Sequence, residues 1–126
     1  MVWFSLAGYS FLIFFLSSSS HPVPFFEVIQ EYHSDWILHG VEYALFGFLC
    51  ARALNVFFRY RWIPALVFFV FCAGVLYGAF DEWHQSFVPG RDPSLYDGLA
   101  DAAGVLAGAW FWLRRNRKRV EARCRR

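Results

Sequence analysis

Charge is scarce in this sequence, and over one stretch it is missing. Seventeen successive residues, Pro64 to Phe80, carry none. Only 17% of the 126 residues are charged, where a soluble domain has roughly a quarter. In place of charge, 58% of the residues are hydrophobic and 22% aromatic. That balance excludes an ordinary water-facing surface and implies lipid as the solvent. Thiols are few as well. Cys50 and Cys72 sit in apolar runs and Cys124 in a basic tail. None has a partner on an oxidising face, so no structural disulfide is expected and the thiols read as small buried apolar groups. No inverted repeat marks a transporter, no ligand spacing matches a zinc signature, and Ser86 lacks the elbow motif of a nucleophile.

What is present is a set of four apolar runs, near Val2 to Ser17, Trp36 to Phe57, Trp62 to Phe80 and Leu99 to Leu113. A span needs about 20 residues, so the first and fourth are short and require partners. The expected fold is all-α: an integral membrane bundle of four transmembrane helices over residues 1–113, followed by a basic tail, 114–126. The first run lacks the positive flank and the small-residue cleavage site of a signal peptide and is expected to be retained.

Orientation follows from Lys and Arg. Eleven of the twelve basic residues lie on one side of this arrangement: Arg52, Arg59, Arg61 and the eight between Arg114 and Arg126. Both termini are therefore expected to be cytoplasmic. The tail reads as an anchor against anionic headgroups and not as a nucleic-acid site. Arg91 is the exception, on the outer side with Glu27, Glu31, Asp35, Asp81, Glu82, Asp92 and Asp97. Trp36, Trp83, Phe87 and Tyr96 fit an aromatic belt at that surface. His21 and His33, in the first outer loop, carry no readable signal.

Three stripes run inward from the same side. Residues spaced 4, 3 and 4 apart share a helix face. The second run places Asp35, His39, Glu42 and Phe46 there, with Leu38 and Tyr43 beside them; the third places Gly74, Gly78, Asp81 and Gln85; the fourth places Asp97, Asp101, Gly104 and Gly108. Small residues four apart let membrane helices approach closely. The third and fourth helices are expected to meet through Gly74, Gly78, Gly104 and Gly108, bringing Asp81 near Asp101 with His39 at similar depth. Each charge at that depth costs about 2.5–3.5 kcal/mol to insert and usually marks function. Asp81, Glu82 and His39 are the candidate catalytic residues, since clustered carboxylates with a His can serve as acid and base. Asp35, Glu42, Tyr43, Gln85, Arg91, Asp97 and Asp101 are candidate ligand-binding residues. His39 and Glu42, with Asp81, Glu82 or His84, offer ligand types suited to a divalent cation. The guanidinium of Arg91, after the Pro89-Gly90 turn, suits a phosphate or carboxylate and equally a salt bridge to Asp81, Asp92 or Asp97.

These residues resemble the motifs of the VanZ-like family of bacterial membrane proteins. In SDWILHGVEYALFG, Asp35, His39, Tyr43 or Glu42, and Gly47 match the first motif. In DEWHQSFVPGR, Asp81, Glu82, Gln85, Phe87, Pro89 and Arg91 match the second, which continues through Asp97, Asp101, Gly104 and Gly108. The resemblance covers about residues 34–108. It departs at Trp36, where the family often has Lys, at Gly40, where an aromatic is frequent, and at Asp101, where many members carry Asn. The resemblance implies a multi-pass protein of the cytoplasmic membrane in the cell envelope, linked to susceptibility to the glycopeptide teicoplanin. Its outward site would then engage a lipid-linked cell-wall intermediate or a glycopeptide. Two other readings stand beside it: an intramembrane hydrolase or transferase acting on a phosphate- or ester-containing lipid, and a polar network that only holds helices together.

Overall fold

The computed structural model describes residues 1–19, 35–58, 62–91 and 94–124. All the regular structure among them is helical: α1 (Val2–Ser17), α2 (Asp35–Phe58), α3 (Ile63–Gln85), α4 (Leu95–Arg115) and α5 (Arg117–Cys124). Two of these helices, over Trp36–Phe58 and Ile63–Gln85, are long and apolar enough to cross a membrane, and α1 is a shorter apolar helix. At about 1.5 Å per residue, the 21 residues of α4 also reach some 30 Å. Its glycines, alanines and charged ends lower its hydropathy.

Local chemistry sets the helix ends. Pro64 lies in the first turn of α3, where its missing N–H deprives no carbonyl of a partner. After α3, Gly90 takes φ 82°, a left-handed conformation that costs glycine little. Ser94 then caps α4, its hydroxyl accepting from the Tyr96 N–H at 3.1 Å. Asp97 stands in the first turn of α4 and Arg114 and Arg115 in its last, each on the end the helix dipole favours. Asn116 interrupts the helix, donating from Nδ2 to the Trp112 carbonyl at 2.8 Å. The basic segment is thus partly the end of α4 and partly α5.

Helices α3 and α4 each overrun the apolar runs that announced them. The third was expected to stop at Phe80, where charge begins, but it continues to Gln85. A helix satisfies its own backbone, so polar residues extend it when their side chains find an interior. Asp81 and Gln85 are both buried.

The four long helices alternate in direction. Gly40 faces Gly104 and Ala44 faces Gly108, so α2 and α4 run parallel. Gly74 faces Val105 and Gly78 faces Asp101, so α3 runs against α4. Helix α1 lies along α2 and α3. Tyr9 Oη donates to the Glu42 carbonyl at 3.0 Å and Tyr77 Oη to the Ser10 carbonyl at 2.5 Å. The core between the helices holds Ile13, Tyr43, Phe46, Cys50, Leu66, Val70, Val105, Ala109 and Trp112. Phe11, Phe57, Phe68, Leu76 and Trp110 point outward and are exposed. Large apolar side chains on every outer face are unusual for a protein in water.

The glycines correct one expectation. Gly104 and Gly108 do not meet Gly74 and Gly78. A methyl group on Gly104 would strike the Gly40 carbonyl, and one on Gly108 the Ala44 carbonyl; one on Gly47 would strike the Val105 backbone. The close backbone approach is therefore between α2 and α4. Gly74 and Gly78 instead leave room for the side chains of Val105 and Asp101. The i, i+4 spacing identifies a small face, but spacing alone does not choose which neighbour uses it.

Candidate functional site

The start of α2, the end of α3 and the start of α4 converge at one end of the packed helices. There His39, Asp81, Gln85, Asp97 and Asp101 are buried. His39 stands one turn into α2, with Tyr43 one turn deeper on the same face. Asp101 is the first residue of the spaced series Asp101, Gly104, Gly108 on α4. Its carboxylate occupies the space that Gly78 leaves on α3: a methyl there would lie 3.0 Å from Asp101 Oδ2 and 3.5 Å from Tyr43 Cε1.

Four polar contacts organise the group. His39 Nδ1 lies 3.0 Å from Asp101 Oδ1. Gln85 Nε2 donates to Asp81 Oδ2 at 3.0 Å, one turn along the same helix. The Ser94 N–H donates to Glu82 Oε2 at 3.0 Å, tying the end of α3 to the start of α4. Arg91 Nη2 donates to the Ser19 carbonyl at 3.3 Å, placing the guanidinium where α1 ends. Three buried oxygens in this region have no hydrogen-bond partner among the described residues: Tyr43 Oη, Glu82 Oε1 and Asp101 Oδ2. His39, Glu82 and Asp101 each offer one metal-ligating atom within 4.8 Å of the others.

Of the sequence candidates, His39, Glu82 and Asp101 are thus brought together, with Tyr43 against Asp101. Asp81 is beside Gln85 and held by it. Asp97 is buried in the first turn of α4, and Arg91 sits at the rim. Glu42 is part-buried one turn below His39 and meets α1 through its carbonyl. Asp35 is the first residue of α2. His84 leaves the group: Nδ1 lies 3.4 Å from Ser17 Oγ, and its ring centroid is 4.4 Å from that of Phe14. It serves the contact with α1. His21, His33, Glu27, Glu31, Arg59, Arg61 and Asp92 lie outside the described residues. Trp36, Trp83, Phe87 and Tyr96 are all exposed at this end.

Reading the stripes missed the roles of Ser94 and α1. A Ser three residues before an acid, at the start of a helical run, is an N-cap signal and was available in SLYD. The polar positions of α1, Tyr9, Ser10 and Ser17, are interleaved with apolar ones. Their partners lie on other helices, and no local pattern names them.

Chemically, the group joins an imidazole to carboxylates in a place shielded from solvent. A buried Asp on one ring nitrogen fixes the tautomer and orientation of a His, as in sites where the His moves a proton or binds a metal. The family model described as VanZ/LLP1 matches residues 2–116 of the chain. No curated protein and no solved structure matches it.

Proposed function

The chain belongs to the VanZ-like family, and on that premise we propose that this membrane protein spans the cytoplasmic membrane of a bacterium four times, through α1 to α4. Both termini face the cytoplasm and the polar end of the helices faces outward. Arg52, Arg114 and Arg115 stand at the opposite end, where the positive-inside bias would hold them. The outward site binds a lipid-linked cell-wall intermediate or a glycopeptide-type ligand, and through it the protein sets susceptibility to teicoplanin. Arg91, at the rim, holds an anionic group of the ligand.

The observation that carries this reading is the open valence at the buried site. Asp101 Oδ2, Glu82 Oε1 and Tyr43 Oη have no hydrogen-bond partner among the described residues. A network that served only to hold helices would close its hydrogen bonds, because each buried polar atom left unpaired costs roughly 1–3 kcal/mol. The test is teicoplanin susceptibility in cells expressing the wild type, Asp101→Asn or Arg91→Ala at matched membrane abundance. The reading requires both variants to lose the shift that the wild type confers. Unchanged susceptibility in both would reject it.

One observation favours a second reading. The His39–Asp101 pair has the arrangement of a general base with its orienting acid. An intramembrane hydrolase or transferase could use it on a phosphate- or ester-containing lipid, with Asp81 or Glu82 as the acid. Release of product from such a lipid by the wild type, abolished in His39→Ala, would favour that reading over binding alone.

A further inference from the structure

We propose that His39, Glu82 and Asp101 form a site for one divalent transition-metal ion. The three residues come from three different helices, α2, α3 and α4, yet one ligating atom of each lies within 4.8 Å of the others. Ligands at about 2.0–2.2 Å from a Zn-sized ion stand some 3–4 Å apart, so the group needs only a small inward movement to close on one. One imidazole with two carboxylates is a donor set for Zn or Mn, whereas Ca and Mg prefer oxygen alone.

The cluster of acids would not by itself identify a ligand. The atoms left open do. Asp101 has one oxygen on His39, Glu82 has one on the Ser94 N–H, and in each the second oxygen is buried without a partner among the described residues. Tyr43 adds an independent observation. It is 0% exposed, its hydroxyl has no partner among those residues, and its ring edge and Asp101 Oδ2 border the same point on Gly78. Donors and acceptors with nothing to bind are rare inside proteins. A divalent cation bound there would offset the charge of the two carboxylates it draws in. Glu82 therefore takes the role that the sequence offered equally to Asp81, since it is Glu82 whose ligating atom lies within 4.8 Å of those of His39 and Asp101.

What the ion does there rests on the binding reading above: it would let a phosphate approach a site otherwise ringed by acids. Whether the ion binds does not depend on that reading, and the experiment separates the two. The full chain, purified in detergent and stripped with chelator, is titrated with MnCl2 alone, and bound metal is counted by native mass spectrometry. One Mn2+ per wild-type chain is expected. His39→Ala, Glu82→Gln and Asp101→Asn should each weaken binding at least about 10-fold, while His84→Gln, on the α1 side, should not. Pulsed EPR of the wild-type Mn2+ complex should show coupling to one imidazole nitrogen, a readout that needs no variant to fold. No stoichiometric Mn2+ on the wild type, binding undiminished in all three variants, or no nitrogen coupling would each overturn the proposal. Bound Mn2+ in a protein that leaves teicoplanin susceptibility unchanged would sink the ligand reading and keep the metal site.

Discussion

His39 Nδ1 and Asp101 Oδ1 lie 3.0 Å apart across 62 positions of the chain, both side chains buried. The contact is possible because α2 and α4 run parallel at a separation where a methyl on Gly47, Gly104 or Gly108 would strike the facing backbone. The same two helices therefore carry a close backbone approach and a buried His–Asp pair. Packing and site are one arrangement, and substitutions can be chosen to separate them.

Asp101→Ala takes the carboxylate away from His39 Nδ1. Stripping one partner from a buried hydrogen bond costs about 1–3 kcal/mol, and that loss is expected in unfolding of the detergent-solubilised protein. Asp101→Asn keeps the shape and one acceptor, so it should lose less than half as much stability. Equal losses for the two would mean that the carboxylate charge itself holds α2 and α4 together.

Glycines should divide into two groups. A methyl on Gly108 would strike the Ala44 carbonyl, while one on Gly8 or Gly98 would meet nothing within 4 Å. Gly108→Ala should therefore lower stability by about 1–3 kcal/mol, as forced overpacking does. Gly98→Ala, inside α4, should raise it by up to about 1 kcal/mol through helix propensity. Thermal melting in one detergent, read side by side, checks both signs.

Ser94 holds two junctions with different atoms. Its hydroxyl caps α4 and its N–H reaches Glu82. Ser94→Ala removes only the cap and should cost about 1 kcal/mol, leaving metal binding intact. Ser94→Pro removes the N–H as well, frees Glu82 Oε2 and should weaken Mn2+ binding. A Ser94→Ala variant that also lost the ion would place the hydroxyl, not the N–H, in the support of the site.

The proposed topology can be read with thiols. In a background with Cys50, Cys72 and Cys124 replaced by Ala, Phe87→Cys should react with a membrane-impermeant maleimide in intact cells. Phe87 is 69% exposed at the polar end. A cysteine restored at position 124 should react only after permeabilisation. The reverse pattern would invert the orientation, and labelling of both in intact cells would reject the four-span arrangement.

Much of this molecule is legible in its residues. Uninterrupted apolar runs such as Pro64 to Phe80 require helices, since backbone groups surrounded by apolar side chains must be satisfied within the segment. The 4, 3, 4 spacings of Gly74, Gly78, Asp81 and Gln85 and of Asp97, Asp101, Gly104 and Gly108 follow from helical geometry alone, so the polar faces could be drawn before any packing was known. Side-chain periodicity is local, and it needs no tertiary information.

The partners were decided only in three dimensions. Nothing in the spacing of Gly104 and Gly108 says that they admit the carbonyls of Gly40 and Ala44 rather than the glycines of α3. Nor does the run DEWHQ say that Glu82 joins His39 and Asp101 while Asp81 is taken by Gln85 and His84 turns to Ser17. Those choices depend on the rotation of each helix about its axis and its depth beside its neighbours. The best overall fit of side-chain volumes sets both, with Val105 filling the space at Gly74 and Asp101 the space at Gly78. The sequence by itself determined which faces would be polar and which small; the packing determined which atoms on those faces would touch.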